Sequence, residues 1–157
     1  MIMYDNINPE LEVMLDENAF VPNRAHAPDA GMDIFSPVDI DIPAHGSAEV
    51  NTGVHINLPV IKIGGVYMYT AGLLKSKSGL NFKNDITGEG VVDVDYTGSI
   101  RIKLYNNGDK DYHINRGDKI TQLLIVPVLT PSPKVVYQFT GVDPNGRGDG
   151  GFGSTGR

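Results

Sequence analysis

The chain contains no cysteine. That excludes disulfides, thiol nucleophiles and zinc–cysteine centres, and it is compatible with a reducing compartment. No apolar run approaches the ~20 residues of a membrane-spanning helix, so no membrane partner is expected. The N-terminus, Met1-Ile2-Met3-Tyr4-Asp5, lacks the basic-then-apolar order of a secretory signal. The expected location is therefore cytoplasmic, in a host cell if the source is viral. Positive charge is also scarce: 13 Lys and Arg stand against 19 Asp and Glu, a formal net charge of −6. No stretch gathers enough cations to follow a phosphate backbone, which argues against direct nucleic-acid binding. Phosphate, if bound, must be held locally, with a metal ion offsetting the repulsion. No window carries an apolar stripe at helical spacing; only the stretch after Ser78-Gly79 has room for a helical turn or two.

What is present reads as strands. A chain of 157 residues, 40% hydrophobic, can bury one sizeable core but not two. Val50, Val54, Ile56 and Leu58 fall at even spacing, and Ile100, Ile102 and Leu104 alternate with Arg101, Lys103 and Tyr105, a period of two. Val66-Tyr67-Met68-Tyr69-Thr70 and Val135-Val136-Tyr137-Gln138-Phe139 are β-branched and aromatic, as strands prefer. The run from Ile120 to Val128 is denser and predicts a strand buried on both faces. Turn signals recur at Ile42-Pro43, Leu58-Pro59, Asn106-Asn107-Gly108 and Arg116-Gly117. The expected fold is all-β, a barrel or sandwich. Composition breaks near Gly141, dividing a barrel domain over residues 1–140 from an arm over 141–157.

That arm, Arg147-Gly148-Asp149-Gly150-Gly151-Phe152-Gly153-Ser154-Thr155-Gly156-Arg157, is too rich in glycine to build a core. Its ring, cations, hydroxyls and free peptide N–H groups suit a ligand with a flat ring and clustered negative charge. A nucleotide has both. Lys75-Ser76-Lys77-Ser78-Gly79 offers cations, hydroxyls and a glycine in a workable phosphate cradle. Asp93 and Asp95 stand two apart, so on an extended strand they would face one side, as a metal site or a supported general base requires. The same letters fit the Asp-x-Asp-x-Thr nucleophile motif of haloacid-dehalogenase-type phosphatases, but the crossover helices of that fold are missing. His26, His45, His55 and His113 are scattered, form no ligand spacing and read as surface or loop residues.

Five segments occur in a telling order: Ala30-Gly31-Met32-Asp33-Ile34, Ser78-Gly79-Leu80, Gly90-Val91-Val92-Asp93-Val94-Asp95-Tyr96-Thr97-Gly98, Arg116-Gly117-Asp118-Lys119-Ile120-Thr121-Gln122-Leu123, and the arm from Arg147. Together they resemble the five motifs of the trimeric dUTP diphosphatase (dUTPase) family, from about Ala30 to the chain's end. The resemblance implies a jelly-roll-like β-barrel (β-clip) with a flexible glycine-rich C-terminal arm. It implies a Mg2+-dependent enzyme that releases dUMP and pyrophosphate from dUTP by water attack on the α-phosphorus, limiting uracil incorporation into DNA. The implied general base is Asp93. Tyr96 would pack under the deoxyribose and exclude a 2′-hydroxyl. Backbone around Thr87, Gly90 and Val92 would read the uracil edge. Lys77, Ser78, Gly79 and Gln122 would contact the phosphates, and Asp33 would face the metal through water. Phe152 and Gly153 would cover the uracil, with Arg147, Ser154 and Thr155 on the phosphates. A homotrimer with sites shared between subunits is implied, each arm ordering over a neighbour's pocket while nucleotide is bound.

The chain departs from the family pattern in places. Lys77 stands where that pattern has arginine, keeping the charge but losing the planar fork. Thr97 replaces the usual arginine or glutamine, and Thr87 stands where some relatives read uracil with asparagine. Two alternatives share the fold. A dCTP deaminase needs a glutamate at the position of Lys103, and lysine cannot shuttle those protons. A regulatory protein with a repressor-type partner often carries an insert between the third and fourth motifs; the span from Gly98 to Arg116 is too short for one.

Overall fold

The computed structural model describes residues 10–141. Twelve strands and one short helix follow in order among them: β1 Glu12–Leu15, β2 Gly31–Phe35, β3 Ile40–Ile42, β4 Ser47–Asn51, β5 Val54–Asn57, β6 Ile61–Ile63, β7 Val66–Ser76, α1 Ser78–Asn84, β8 Ile86–Thr87, β9 Gly90–Val92, β10 Arg101–Asn106, β11 Tyr112–Ile114 and β12 Lys119–Val128. The strands form antiparallel sheets ordered β1-β5, β4-β10-β8, β11-β3 and β2-β12-β7-β6, with β9 also paired to β7. This is the all-β architecture that the alternation predicts, in the jelly-roll-like form that the resemblance implies.

The alternation works as expected where one face is buried. Along β10, Ile102, Leu104 and Asn106 point inward while Arg101, Lys103 and Tyr105 face out. These meet Ile34, Ile42, Val50, Val54, Ile86, Ile100, Ile114, Ile120 and Leu123 in one core. Asn106 is the polar member, and its side chain is satisfied: Nδ2 donates to the carbonyls of Ile42 and Lys110 at 3.0 and 2.8 Å, and Oδ1 accepts from the Gly108 N–H at 3.0 Å. It closes the β10–β11 turn from inside the core, the Asn-Asn-Gly signal read in the sequence.

Two expectations need correction. Residues 135–139 are not a strand; they are exposed and bend at Tyr137 and Gln138, with Tyr137 and Phe139 among the most exposed apolar side chains. A strand exists only with a partner for its ladder, and within the described residues this segment has none. β12 is a strand but not buried on both faces, because Leu124, Ile125 and Val126 are only half-buried. The histidines lie at or near the surface as expected: His26, His45 and His113 are exposed, the last on β11, and His55 is half-buried on β5.

Candidate functional site

The fold gathers one group of predicted residues at the end of β7. β12 lies between β2 and β7, which sets Gln122 opposite both Asp33 and Lys75. The Gln122 amide donates to the Ser76 carbonyl at 3.3 Å, and its Oε1 lies over Gly31, where a Cβ would come within 2.9 Å. Lys77 follows as the N-cap of α1, whose first residues Ser78 and Gly79 are exposed. A groove beside this turn is lined by Lys77, Gly79, Leu80, Lys83, Tyr112 and Lys119. Three lysines against Asp118 in the lining and Asp33 beneath leave the groove locally basic in an otherwise acidic chain.

Asp33 is buried beneath this group and is doubly paired. Its Oδ1 accepts from Lys77, and its Oδ2 lies 2.8 Å from Lys119 Nζ. Burial alone would raise the carboxyl pKa; hydrogen bonds from Lys119 and Lys77, with their positive charges, outweigh it and hold the group below its ordinary 3.8. The pairing therefore contributes stability that is complete above 3.8 and disappears as pH falls through the lower folded value. We expect acid unfolding of the intact chain to show this limb, and Asp33→Asn to flatten it in pH-dependent thermal melts. Lys119 escaped the sequence reading because only the non-local β2–β12 register brings it to Asp33.

A second group begins along the middle of β7. Gly90, Val91 and Val92 of β9 pair with Leu74, Leu73 and Gly72. Val92 is buried, whereas Asp93 emerges exposed just beyond it. Asp93 and Asp95 do not share a strand face as expected: the chain turns here, with the Tyr96 N–H bonded to the Asp93 carbonyl at 3.0 Å. Tyr96 folds back so that its hydroxyl donates to the Ser99 carbonyl at 2.9 Å, and its ring covers Gly98, where a Cβ would lie 2.6 Å from the hydroxyl oxygen. The loop is pinned to β5 by His55. Nδ1 lies 2.8 Å from the Thr97 carbonyl and Nε2 3.1 Å from an Asp16 carboxylate oxygen. Both partners accept, which favours the doubly protonated ring, and the hydrogen bond to Thr97 heads the causes that raise the His55 pKa.

Asp93 and Lys77 are apart within one chain, although the hairpin that leads to Asp93 is tied at Gly88 to Ser76. Lys77 lies just past the end of β7, and Asp93 lies about opposite Ala71. Six strand residues at ~3.3 Å each put roughly 20 Å between them. Arg147, Phe152, Gly153, Ser154 and Thr155 lie outside the described residues.

A family model described as dUTPase matches residues 17–156. The deoxyuridine 5'-triphosphate nucleotidohydrolase of Eremothecium gossypii is 42% identical over 150 residues, covering 94% of this chain and 92% of that one. The Saccharomyces cerevisiae protein of the same name is 40% identical over 140 residues, covering 88% of each. Among solved structures, the Staphylococcus bacteriophage 80alpha dUTPase with dUpNHpp aligns at a TM-score of 0.83 and 31% identity, covering 96% of this chain and all of that one. A dUTPase from phage phi11 of S. aureus, whose structure details the coordination of a structural Mg(II) ion, aligns at 0.72 and 33% identity over 83% of this chain and 99% of that one.

Proposed function

The chain belongs to the dUTPase family, and on that premise we infer that it hydrolyses dUTP to dUMP and pyrophosphate. The observation that carries the site assignment is the exposed Asp93 carboxylate at the foot of β9, next to a tyrosine ring laid flat over Gly98. Asp93 orients the attacking water and takes its proton, while Tyr96 supports the sugar and leaves no room for a 2′-hydroxyl. The hairpin from Thr87 to Val92 reads uracil. Ser78 and Gln122 meet the phosphates in the basic groove, where charge builds on the leaving pyrophosphate. Lys77 is shared between that role and Asp33. Lys103, at the position a deaminase gives to glutamate, is exposed with its ammonium 5.3 Å from the Tyr105 ring centre.

Mg2+ fits this site as an ion carried by the triphosphate. Among the described residues no three His, Asp or Glu side chains converge on a metal position, and both Asp33 oxygens already face lysines. Asp33 would reach the ion only through water, consistent with the reluctance of Mg2+ to dehydrate. When bound, the ion would neutralise developing phosphate charge.

The enzyme works as a homotrimer with sites shared between subunits. The 20 Å gap within one chain and the exposed apolar segment at 135–139 both favour this arrangement, since a second copy supplies the missing half of a site and a partner for the segment. From there the arm closes over a neighbour's pocket, Phe152 on uracil, Gly153 beside it, and Arg147, Ser154 and Thr155 on the phosphates. A repressor-type protein partner is a second reading, favoured only by the bacteriophage 80alpha dUTPases described as controlling transfer of virulence genes. Here the stretch between the third and fourth motifs is β10, a turn and β11, so such binding would use the barrel itself.

Pyrophosphate release from dUTP, dCTP, dTTP and UTP with Mg2+ tests the activity: dUTP alone should turn over briskly, and no dUTP hydrolysis would overturn the assignment. Truncation after Gly141 should lower kcat/KM by about 100-fold or more, through lost closure and positioning. Gel filtration should show its assembly unchanged; full activity in the truncated chain would remove the arm from the site.

A further inference from the structure

We propose that Ser76 is a positioning residue for pyrimidine selection, an inference that rests on the dUTP reading above. The β7–β9 register pairs Leu74 with Gly90 and Gly72 with Val92. Continued by the same rule, it sets Lys75 opposite Glu89 and Ser76 opposite Gly88. At both positions side chains take over from the backbone ladder. Lys75 Nζ lies 3.1 Å from Glu89 Oε1. The Ser76 hydroxyl accepts from the Gly88 N–H at 3.0 Å and donates to the Gly88 carbonyl at 3.2 Å.

The opposite side of the hairpin is held as well. Thr87 pairs with Tyr105, and Asn107 Nδ2 donates to Thr87 Oγ1 and to the Asp85 carbonyl, each at 3.1 Å. Gly88 itself rests on β10, where a Cβ would come within 2.8 Å of both Leu104 Cδ2 and the Lys103 carbonyl. The hairpin is thus fixed between β7 and β10, tied to β7 at the turn by the half-buried Ser76 hydroxyl and by the exposed Lys75–Glu89 ion pair, of which only the serine holds the backbone itself. The Gly88 N–H is occupied by that hydroxyl and its carbonyl takes one bond from it. The free donors for a base edge are then peptide groups from Glu89 to Val92, and β9 is paired on its β7 edge only among the described residues. Hydrogen bonds to a base lose strength over a few tenths of an ångström, so the tether sets how sharply uracil is told from its relatives.

The experiment uses the full-length chain, with kcat and KM measured for dUTP, dCTP and dTTP in wild type, Ser76→Ala and Ser76→Thr. In Ser76→Ala we expect KM for dUTP to rise about tenfold with kcat nearly kept, and the preference for dUTP over dCTP and dTTP to fall by a similar factor, the scale of one lost hydrogen bond. Ser76→Thr, which keeps the hydroxyl, should restore the preference. Unchanged preference in Ser76→Ala overturns the proposal, whether or not the melting temperature falls. Wild type inert toward dUTP would instead sink the family reading of the site. Exchange of the Gly88 amide, followed by NMR without nucleotide, tests the tether apart from activity: faster exchange in Ser76→Ala supports it, and unchanged protection overturns it.

Discussion

Replacing Asp93 with asparagine should lower kcat for dUTP by about 100- to 10,000-fold, the range for loss of a positioned general base. The amide keeps the shape of the carboxylate but cannot take a proton from water. KM should move little, because uracil, sugar and phosphates are held by other groups. The fold should survive, since the turn is closed by the main chain, Tyr96 N–H to Asp93 carbonyl, and not by the carboxylate. An exposed substitution of this kind shifts stability by about 0.5 kcal/mol or less. Asp95, two residues further along the same turn, is the matched control: Asp95→Asn should leave kcat near wild type. Steady-state pyrophosphate release with thermal melts on both variants separates these outcomes. Equal losses in the two would mean that the loop as a whole, and not one carboxylate, is being disturbed.

Much of this arrangement was legible in the chain, for reasons that differ by residue. β10 could be read because one of its faces is buried and the other wet, so Ile102 and Leu104 announce themselves by alternation. The turn at Asn106-Asn107-Gly108 follows from local chemistry that needs no partner. Asp93 and Tyr96 emerged from motif order, although their expected strand is a turn: the two carboxylates obey period two only while the backbone stays extended. Residues 135–139 have strand composition without a strand, because composition gives propensity and pairing supplies the ladder. The partners of Lys119 and Ser76 were not legible for a related reason, and the Ser76 hydroxyl, read as part of the phosphate cradle, is spent on Gly88 instead. Lys119 and Ser76 each act on a residue far away in sequence, Asp33 and Gly88, and only the registers β2–β12 and β7–β9 bring them together.

The same register defines the central claim, that each site joins the Asp93 end of one chain to the Ser78 end of another. Asp93→Asn removes the base, and Ser78→Ala removes a hydroxyl beside the leaving pyrophosphate, a loss expected to cost about 100-fold or more. Each variant alone should be nearly inactive. When the two are co-expressed in equal amounts and mixed trimers are purified by two tags, each mixed trimer should hold one repaired site in three, restoring about one third of wild-type activity per site in a closed, symmetric ring. Recovery at that level, with either pure variant still inactive, is the predicted result. Mixed assemblies no more active than the pure variants would contradict the account and place both ends of the site within one chain.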